Sequence, residues 1–230
     1  MEYELYEKIY HILEEFNSSD AFLELEKKYN LILFGGAVRD FVFFSEQYEV
    51  RDLDFVMVGV ESVASVKEIL RQYFTLSQMK YNQFGGIKIC TPQINFDIWR
   101  LEDTRAFQQG FMEAEERNLL KTVFLNIDAY AYHMNKKQYL DHCNKNEFPA
   151  EIDIVLEDWG CLEVNLLRAL VYAQKYEMPL SARLKQLLKL QLSDPETLER
   201  MKAMQLYHFK REVFQLEQMR EAIEYAEYLL

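Results

Sequence analysis

Hydrophobic positions change their spacing at about residue 150 of the 230-residue chain. Before this point, two stretches with helical periodicity are followed by short apolar runs, several of which end in glycine or alternate with polar residues. Short apolar runs are typical of strands, whereas stripes at three- and four-residue spacing are typical of helices. Strands are predicted over 31–34, 53–58, 75–78, 86–90 and 94–100, and helices over 5–16, from 20 onward, 37–44 and 62–73.

After residue 150 the strand pattern stops. A helical stripe runs from Leu162 to Ala173, and further helices are predicted over about 181–191, 195–206 and 209–229. The apolar stripe of the last helix is interpreted as core in preference to a partner-binding surface. The sequence therefore predicts an α+β fold, with a small mixed β-sheet backed by helices in residues 1–150 and an all-helical region in residues 151–230.

Two aspartates stand at the start of the second predicted strand. Asp52 and Asp54 point to the same face, because alternate side chains of a strand share a face, while Leu53 packs behind them. Adjacent carboxylates repel each other unless a cation neutralises them. Hard oxygen ligands suit Mg²⁺, which keeps coordination sites for water and phosphate oxygens. The pair therefore predicts a magnesium site that works on a nucleotide.

A glycine turn lies a short distance before this pair. Gly35 and Gly36 end the first predicted strand, and a helix follows. Backbone N–H groups of such a turn and of a helix N-terminus can hold a triphosphate, with Arg39 nearby to assist. In the alternative interpretation, Arg39 and Asp40 form an ion pair on the helix surface.

The combination of G-G-A-V-R-D at 35–40 with D-L-D at 52–54 resembles the head domain of the class II CCA-adding enzymes and bacterial poly(A) polymerases. These enzymes belong to the DNA polymerase beta superfamily. The resemblance covers about residues 30–175 and includes residues 84–89, similar to the family's F-G-T strand, and residues 96–102, similar to its segment with a third carboxylate. It implies a nucleotidyltransferase with a nucleoside triphosphate as substrate and a head domain followed by a helical neck.

The resemblance also implies roles for individual residues. Asp52, Asp54 and Asp97 become the catalytic carboxylates of a two-metal magnesium site, and Asp97 helps to position the acceptor hydroxyl. In the alternative interpretation, Asp97 and Arg100 pair only with each other. The expected nucleotide-binding residues are Gly35, Gly36, Arg39, Asp40, Arg100, Arg168 and Tyr172.

The chain departs from the family pattern in the segments that recognise the base. Residues 122–129 lack the family's R-R-D, and Arg168 is the one arginine kept of three in the segment 165–173. A net charge of −12 also disfavours extensive nucleic-acid binding, and the chain ends where the family's RNA-binding domains follow. These features argue against faithful CCA addition to tRNA. They leave a small molecule, a protein hydroxyl or a short RNA end as the acceptor.

Other classes of protein find little support in the sequence. No apolar run approaches the roughly 20 residues of a membrane-spanning helix, and acidic residues follow Met1 where a signal peptide is basic. We therefore expect a cytoplasmic protein. The three cysteines and four histidines lack the spacing of a zinc site. Two hypotheses remain, an active nucleotidyltransferase and a regulatory module that binds a nucleotide without chemistry.

Overall fold

The computed structural model describes residues 2–44, 50, 52–82, 84–144, 146–157, 160–215 and 217–221. No helix among them has both the length and the apolar composition that crossing a bilayer requires. The helices are α1 (Glu2–Glu15), α2 (Ser19–Lys28), α3 (Gly36–Phe44), α4 (Val63–Leu70), α5 (Arg105–Gln108), α6 (Leu162–Tyr176), α7 (Ala182–Ser193) and α8 (Pro195–Phe209). The strands are β1 (Asn30–Phe34), β2 (Asp52–Val58), β3 (Met79–Tyr81), β4 (Ile87–Cys90), β5 (Asn95–Arg100), β6 (Ala131–His133) and β7 (Gln138–Tyr139).

The strands form a seven-stranded sheet in the order β3-β4-β5-β2-β1-β6-β7. Strands β2 and β5 pair in parallel, while every other neighbouring pair is antiparallel. The predicted α+β fold with a mixed sheet is confirmed. The parallel pair lies near the middle of the sheet, so β2 is flanked by strands on both sides.

The two faces of the sheet are covered by different parts of the chain. Leu53, Phe55 and Phe96 belong to a core that also contains buried residues of α1, α2 and α4. Ile32 and Val56 point to the opposite face and pack with residues that follow β5. Asp52, Asp54 and Asp97 alternate along their strands with Leu53, Phe55 and Phe96. They therefore lie on the same face as Ile32 and Val56.

The chain divides into two compact units, residues 1–122 with 128–147 and residues 123–127 with 148–230. In the second unit, α6, α7 and α8 enclose an apolar core that includes Leu166, Leu188 and Met201. The side chain of Gln205 is buried there and accepts hydrogen bonds from the backbone N–H groups of residues 213 and 214. The helical C-terminal region is therefore confirmed, whereas its assignment as a neck domain remains a prediction.

The structure differs from the sequence-based elements at several points. Strands β6 and β7 were not predicted, the helix predicted over 62–73 ends at Leu70, and two further segments differ in type. Residues 75–78 form a turn in place of the predicted strand, since the backbone N–H and the hydroxyl of Thr75 both donate to the Gln78 side chain. Such local hydrogen bonds compete with strand pairing, which begins at Met79. Of the helix predicted over 209–229, residues 210–215 are not helical, residues 217–221 are helical, and residues 216 and 222–229 lie outside the described residues.

One asparagine joins the segment after β6 to the end of α2 and the start of β1. The Asn135 side chain accepts a hydrogen bond from Leu31 N at 2.8 Å and donates to the carbonyls of Glu26 and Tyr29 at 2.8 and 3.0 Å. We expect Asn135→Ala to lower the free energy of unfolding by about 1–3 kcal/mol, because it leaves backbone groups without partners. Urea denaturation measures the loss. The control is Asn144→Ala, which removes an exposed side chain that accepts one long hydrogen bond, from Glu147 N at 3.4 Å, and should stay within about 0.5 kcal/mol of wild type. Equal losses in both variants would contradict this role.

Candidate active site

The register of β2 against β5 brings three carboxylates onto neighbouring strands. In this parallel pair Asp52 lies opposite Asn95, and Asp54 lies opposite Asp97. Neighbouring strands run about 4.8 Å apart, and register partners point to the same face. The structure therefore places Asp52, Asp54 and Asp97 side by side on one face, which we call the carboxylate face.

The two outer carboxylates of this group, Asp52 and Asp97, each accept a hydrogen bond from a neighbouring side chain. The side-chain amide of Asn95 donates to Asp52 Oδ1 at 2.9 Å. Lys88 lies opposite Asp97 in the antiparallel β4–β5 pair, and its Nζ donates to Asp97 Oδ2 at 2.7 Å. Burial by itself lowers the pKa of Lys88, but the hydrogen bond to Asp97 and the attraction of Asp97 and Asp52 raise the pKa above its ordinary value. Lys88 is therefore a cation at neutral pH.

The glycine turn lies beside the carboxylates. Gly35 adopts a φ of +79°, a conformation that favours glycine, and its N–H donates to the carbonyl of Tyr130 at 2.7 Å. A Cβ on Gly35 would stand 3.9 Å from Asp54 Oδ2. Helix α3 begins at the next residue, Gly36, so the N–H groups of its first turn supply partial positive charge next to the carboxylate face.

Arg39 is held inside the protein by two carboxylates. Its guanidinium donates to Asp40 at 2.7 Å and to Asp128 at 3.4 Å, and the residue is only 3% exposed. The ion pair with Asp40 considered from the sequence is present, but its arginine is buried and also contacts a second carboxylate, Asp128. In this arrangement Arg39 braces the first turns of α3 against the segment before β6.

Arg100 also has a partner within the protein. It donates to both carboxylate oxygens of Asp103, at 2.7 and 2.8 Å. The hydrogen bonds to Asp103 raise the pKa of Arg100. The alternative pairing of Asp97 with Arg100 is not what the structure shows, because Asp97 pairs with Lys88 and Arg100 with Asp103.

Two further predicted nucleotide-binding residues lie on α6 of the second unit. Arg168 Nη2 donates to the hydroxyl of Tyr172 at 3.0 Å, one helical turn away. The guanidinium carbon also lies 5.5 Å from the centre of the Tyr172 ring. The two side chains form a local pair in which the tyrosine ring and hydroxyl orient the arginine.

The donor set suits a magnesium ion through its chemistry. Asp52 and Asp54 offer the carboxylate oxygens that Mg²⁺ prefers, on one face of a strand. Within the described ranges, no three His, Cys, Asp or Glu side chains converge closely enough to hold a metal together. Asp97 stands beside the pair, but its carboxylate is turned to Lys88. The residues therefore fit a cation at Asp52 and Asp54.

Sequence reasoning missed three residues of this region, Lys88, Asn95 and Asp128. Lys88 and Asn95 follow the strand alternation that also places Asp97, so their face was predictable once the strand register was known. Asp128 carries no such signal, since its contact with Arg39 spans 89 positions of the chain.

The sequence matches no protein-family model. No curated protein matches it either. The fold, in contrast, is shared with solved nucleotidyltransferases. A CCA-adding enzyme with ATP superposes with a TM-score of 0.61 at 18% identity, covering 95% of this chain and 51% of that one.

Two further structures support the same fold. A tRNA nucleotidyltransferase complexed with a primer tRNA and an incoming ATP analogue gives a TM-score of 0.58 at 20% identity, covering 91% of this chain and 60% of that one. The Thermotoga maritima CCA-adding enzyme complexed with tRNA gives 0.58 at 16% identity, covering 87% and 47%. The chain thus spans about half the length of these proteins. At these identities the likeness establishes the fold.

Because Arg39 is buried, two roles of this residue can be tested separately: stabilising the start of α3 and binding phosphate directly. We expect Arg39→Met to lower the free energy of unfolding by about 3–5 kcal/mol, because Asp40 and Asp128 lose a shared buried partner. The control is Arg117→Met, which removes an exposed pair with Glu115 and should change stability by no more than about 1 kcal/mol. Denaturation of both variants measures the difference. A stable Arg39→Met protein that has lost affinity for a triphosphate would instead assign Arg39 to the ligand.

Proposed function

We propose that the protein is a magnesium-dependent nucleotidyltransferase that moves a nucleoside monophosphate from a nucleoside triphosphate to a hydroxyl group. The observation that carries this proposal is the position of the Gly35 turn beside the register-paired carboxylates Asp54 and Asp97. A triphosphate bound at the turn has its reacting phosphate next to the carboxylate face. The shared fold supports the proposal, since solved neighbours include CCA-adding enzymes with CTP and with ATP.

The transfer forms one bond and breaks another at the α-phosphorus. The acceptor oxygen attacks this phosphorus, and the bond to the bridging oxygen breaks, so pyrophosphate leaves with the electron pair. Asp97 lies at the edge of the carboxylate group toward β4, where it can orient the acceptor hydroxyl and receive its proton. The N–H of Gly35 already donates to Tyr130, so the N–H groups from Gly36 onward, at the start of α3, hold the phosphate oxygens.

Asp52 and Asp54 would hold magnesium, and Asp97 would join a second ion in the two-metal arrangement that the sequence resemblance implies. When bound, magnesium supplies positive charge that stabilises the oxygens of the reacting phosphate. The carboxylates would also repel each other less, which favours their close placement on adjacent strands.

The acceptor we favour is a small molecule, a protein hydroxyl or a short RNA end. A net charge of −12 works against the broad phosphate contacts that long nucleic acids require. One neighbour is complexed with a primer tRNA, so a short RNA end stays among the acceptors to be tested. Labelling of separate RNA, protein and small-molecule fractions distinguishes the three classes.

A catalytically silent nucleotide-binding module is the second candidate. Two ion pairs within the protein favour it. Arg39 and Arg100, which were expected to bind phosphate, pair with Asp40 and Asp103 instead. Calorimetric binding of a triphosphate without turnover across the acceptor panel would support this candidate over the enzyme.

We expect Asp52→Asn/Asp54→Asn to reduce pyrophosphate release to background with magnesium and each nucleoside triphosphate. The physical reason is the loss of both carboxylates that would hold the cation, together with their mutual repulsion. Pyrophosphate release and transfer of labelled nucleotide measure the change. The melting temperature should equal or exceed that of the wild-type protein.

The matched control for this variant removes two exposed carboxylates elsewhere, in Glu61→Gln/Asp141→Asn. This control has the same change in net charge and should keep wild-type turnover. Full activity in the Asp52/Asp54 variant would contradict the proposed site. Equal loss in both double variants would mean that net charge, and not the site, governs activity.

A pair of glycines tests the turn separately from the carboxylates. Gly35 and Gly59 have φ values of +79° and +80°, and a Cβ on Gly59 would meet nothing within 4 Å. Alanine at either position should lower stability by about 1–2 kcal/mol, because both require left-handed backbone. Only Gly35→Ala should also weaken binding of a non-hydrolysable triphosphate, by about tenfold or more. Equal affinity in the two variants, measured by calorimetry, would argue against phosphate binding at the turn.

A further inference from the structure

Lys88, Asp97 and Asp54 form a row across three neighbouring strands. Lys88 faces Asp97 in the β4–β5 register, and Asp97 faces Asp54 in the β5–β2 register. The Nζ of Lys88 lies 2.7 Å from Asp97 Oδ2. Asp97 therefore stands between an ammonium on one side and the paired aspartates of β2 on the other.

The ion pair is open to solvent. The side chains of Lys88 and Asp97 are 41% and 32% exposed. Pairs with this exposure contribute little to folding stability, because water screens their attraction. The pair therefore contributes little to the stability of the fold, and water and ions can reach both of its members.

The carboxylates at the two ends of the group differ in their partners. Asp52 receives a hydrogen bond from the neutral amide of Asn95, whereas Asp97 receives one from a cation. A divalent cation that approaches Asp52 replaces or shares a weak neutral contact. At Asp97 the same cation meets an ammonium already bound to the carboxylate and is repelled by it.

We propose that Lys88 is a positioning residue that competes with a divalent cation for Asp97, and that it thereby sets the affinity and order of cation binding. This inference rests on the proposed function, since it requires the carboxylates to bind a metal. The first cation binds at Asp52 and Asp54. A cation reaches Asp97 only when Lys88 is displaced, so occupancy at Asp97 requires a higher metal concentration.

Titration of the full chain with Mn²⁺ tests the proposal. Free Mn²⁺ is followed by its electron paramagnetic resonance signal in the wild type, Lys88→Met and Lys88→Arg. Lys88→Met should raise the affinity of the weaker cation site by about tenfold or more. Lys88→Arg keeps the charge and should bind Mn²⁺ as the wild type does. Pyrophosphate release should reach half of its maximum at a lower Mg²⁺ concentration in Lys88→Met.

Lys80→Met is the matched control. Lys80 is the register partner of Lys88 on β3, is exposed, and shares its face of the sheet. Its substitution removes the same charge from the same cross-strand pair, so its Mn²⁺ binding should match the wild type. A gain in Lys80→Met equal to that in Lys88→Met would overturn the proposal, because net charge alone would then explain the result.

Two further outcomes separate this inference from the proposed function. If Asp52→Asn/Asp54→Asn abolishes Mn²⁺ binding but Lys88→Met binds as the wild type does, the metal site stands and the role of Lys88 is wrong. If the double asparagine variant binds Mn²⁺ as well as the wild type, the carboxylates are not the metal site. In that case the proposed function and this inference fail together. Circular dichroism of each variant confirms that a change in binding reflects a folded protein.

Discussion

The register between β2 and β5 decides which side chains share the carboxylate face. Asp54 opposite Asp97 places the third carboxylate next to the D-x-D pair. A slip of one residue would turn Asp97 toward the core that contains Phe55 and Phe96 and would expose apolar residues. The buried alternate positions of both strands therefore fix the register, and the packing of one face determines the chemistry of the other.

Like charges placed side by side repel each other, and hydrogen-bond donors and the N-terminus of α3 offset this repulsion. Asn95 and Lys88 donate to the two outer carboxylates. The positive end of α3 begins at Gly36, beside Asp54. The buried Arg39 braces the start of the same helix against the segment before β6 through Asp128. The carboxylate face is thus held by neighbouring strands and by the turn before α3, and it does not rely on a single loop.

The sequence was informative where structure follows from local spacing. Alternation in a strand predicted that Asp52 and Asp54 share a face, and the Gly35-Gly36 pair predicted the turn that leads into α3. Contacts between distant segments could not be predicted in this way. The contact of Arg39 with Asp128 joins residues 89 positions apart. Lys88 became a partner of Asp97 only through the β4–β5 register, and the turn at 75–78 follows from side-chain hydrogen bonds that a strand pattern does not encode.

The central claim is that the β2–β5 register gathers Asp52, Asp54 and Asp97 on one face, where Asp52 and Asp54 bind the first cation. Crystals grown with Mn²⁺ and a non-hydrolysable nucleoside triphosphate test it most directly, because anomalous scattering locates the metal independently of the protein coordinates. The account predicts an anomalous peak against Asp52 and Asp54, with the triphosphate at the Gly35 turn and Asp97 on the same side. A nucleotide bound elsewhere, or a metal that contacts none of the three carboxylates, would contradict it.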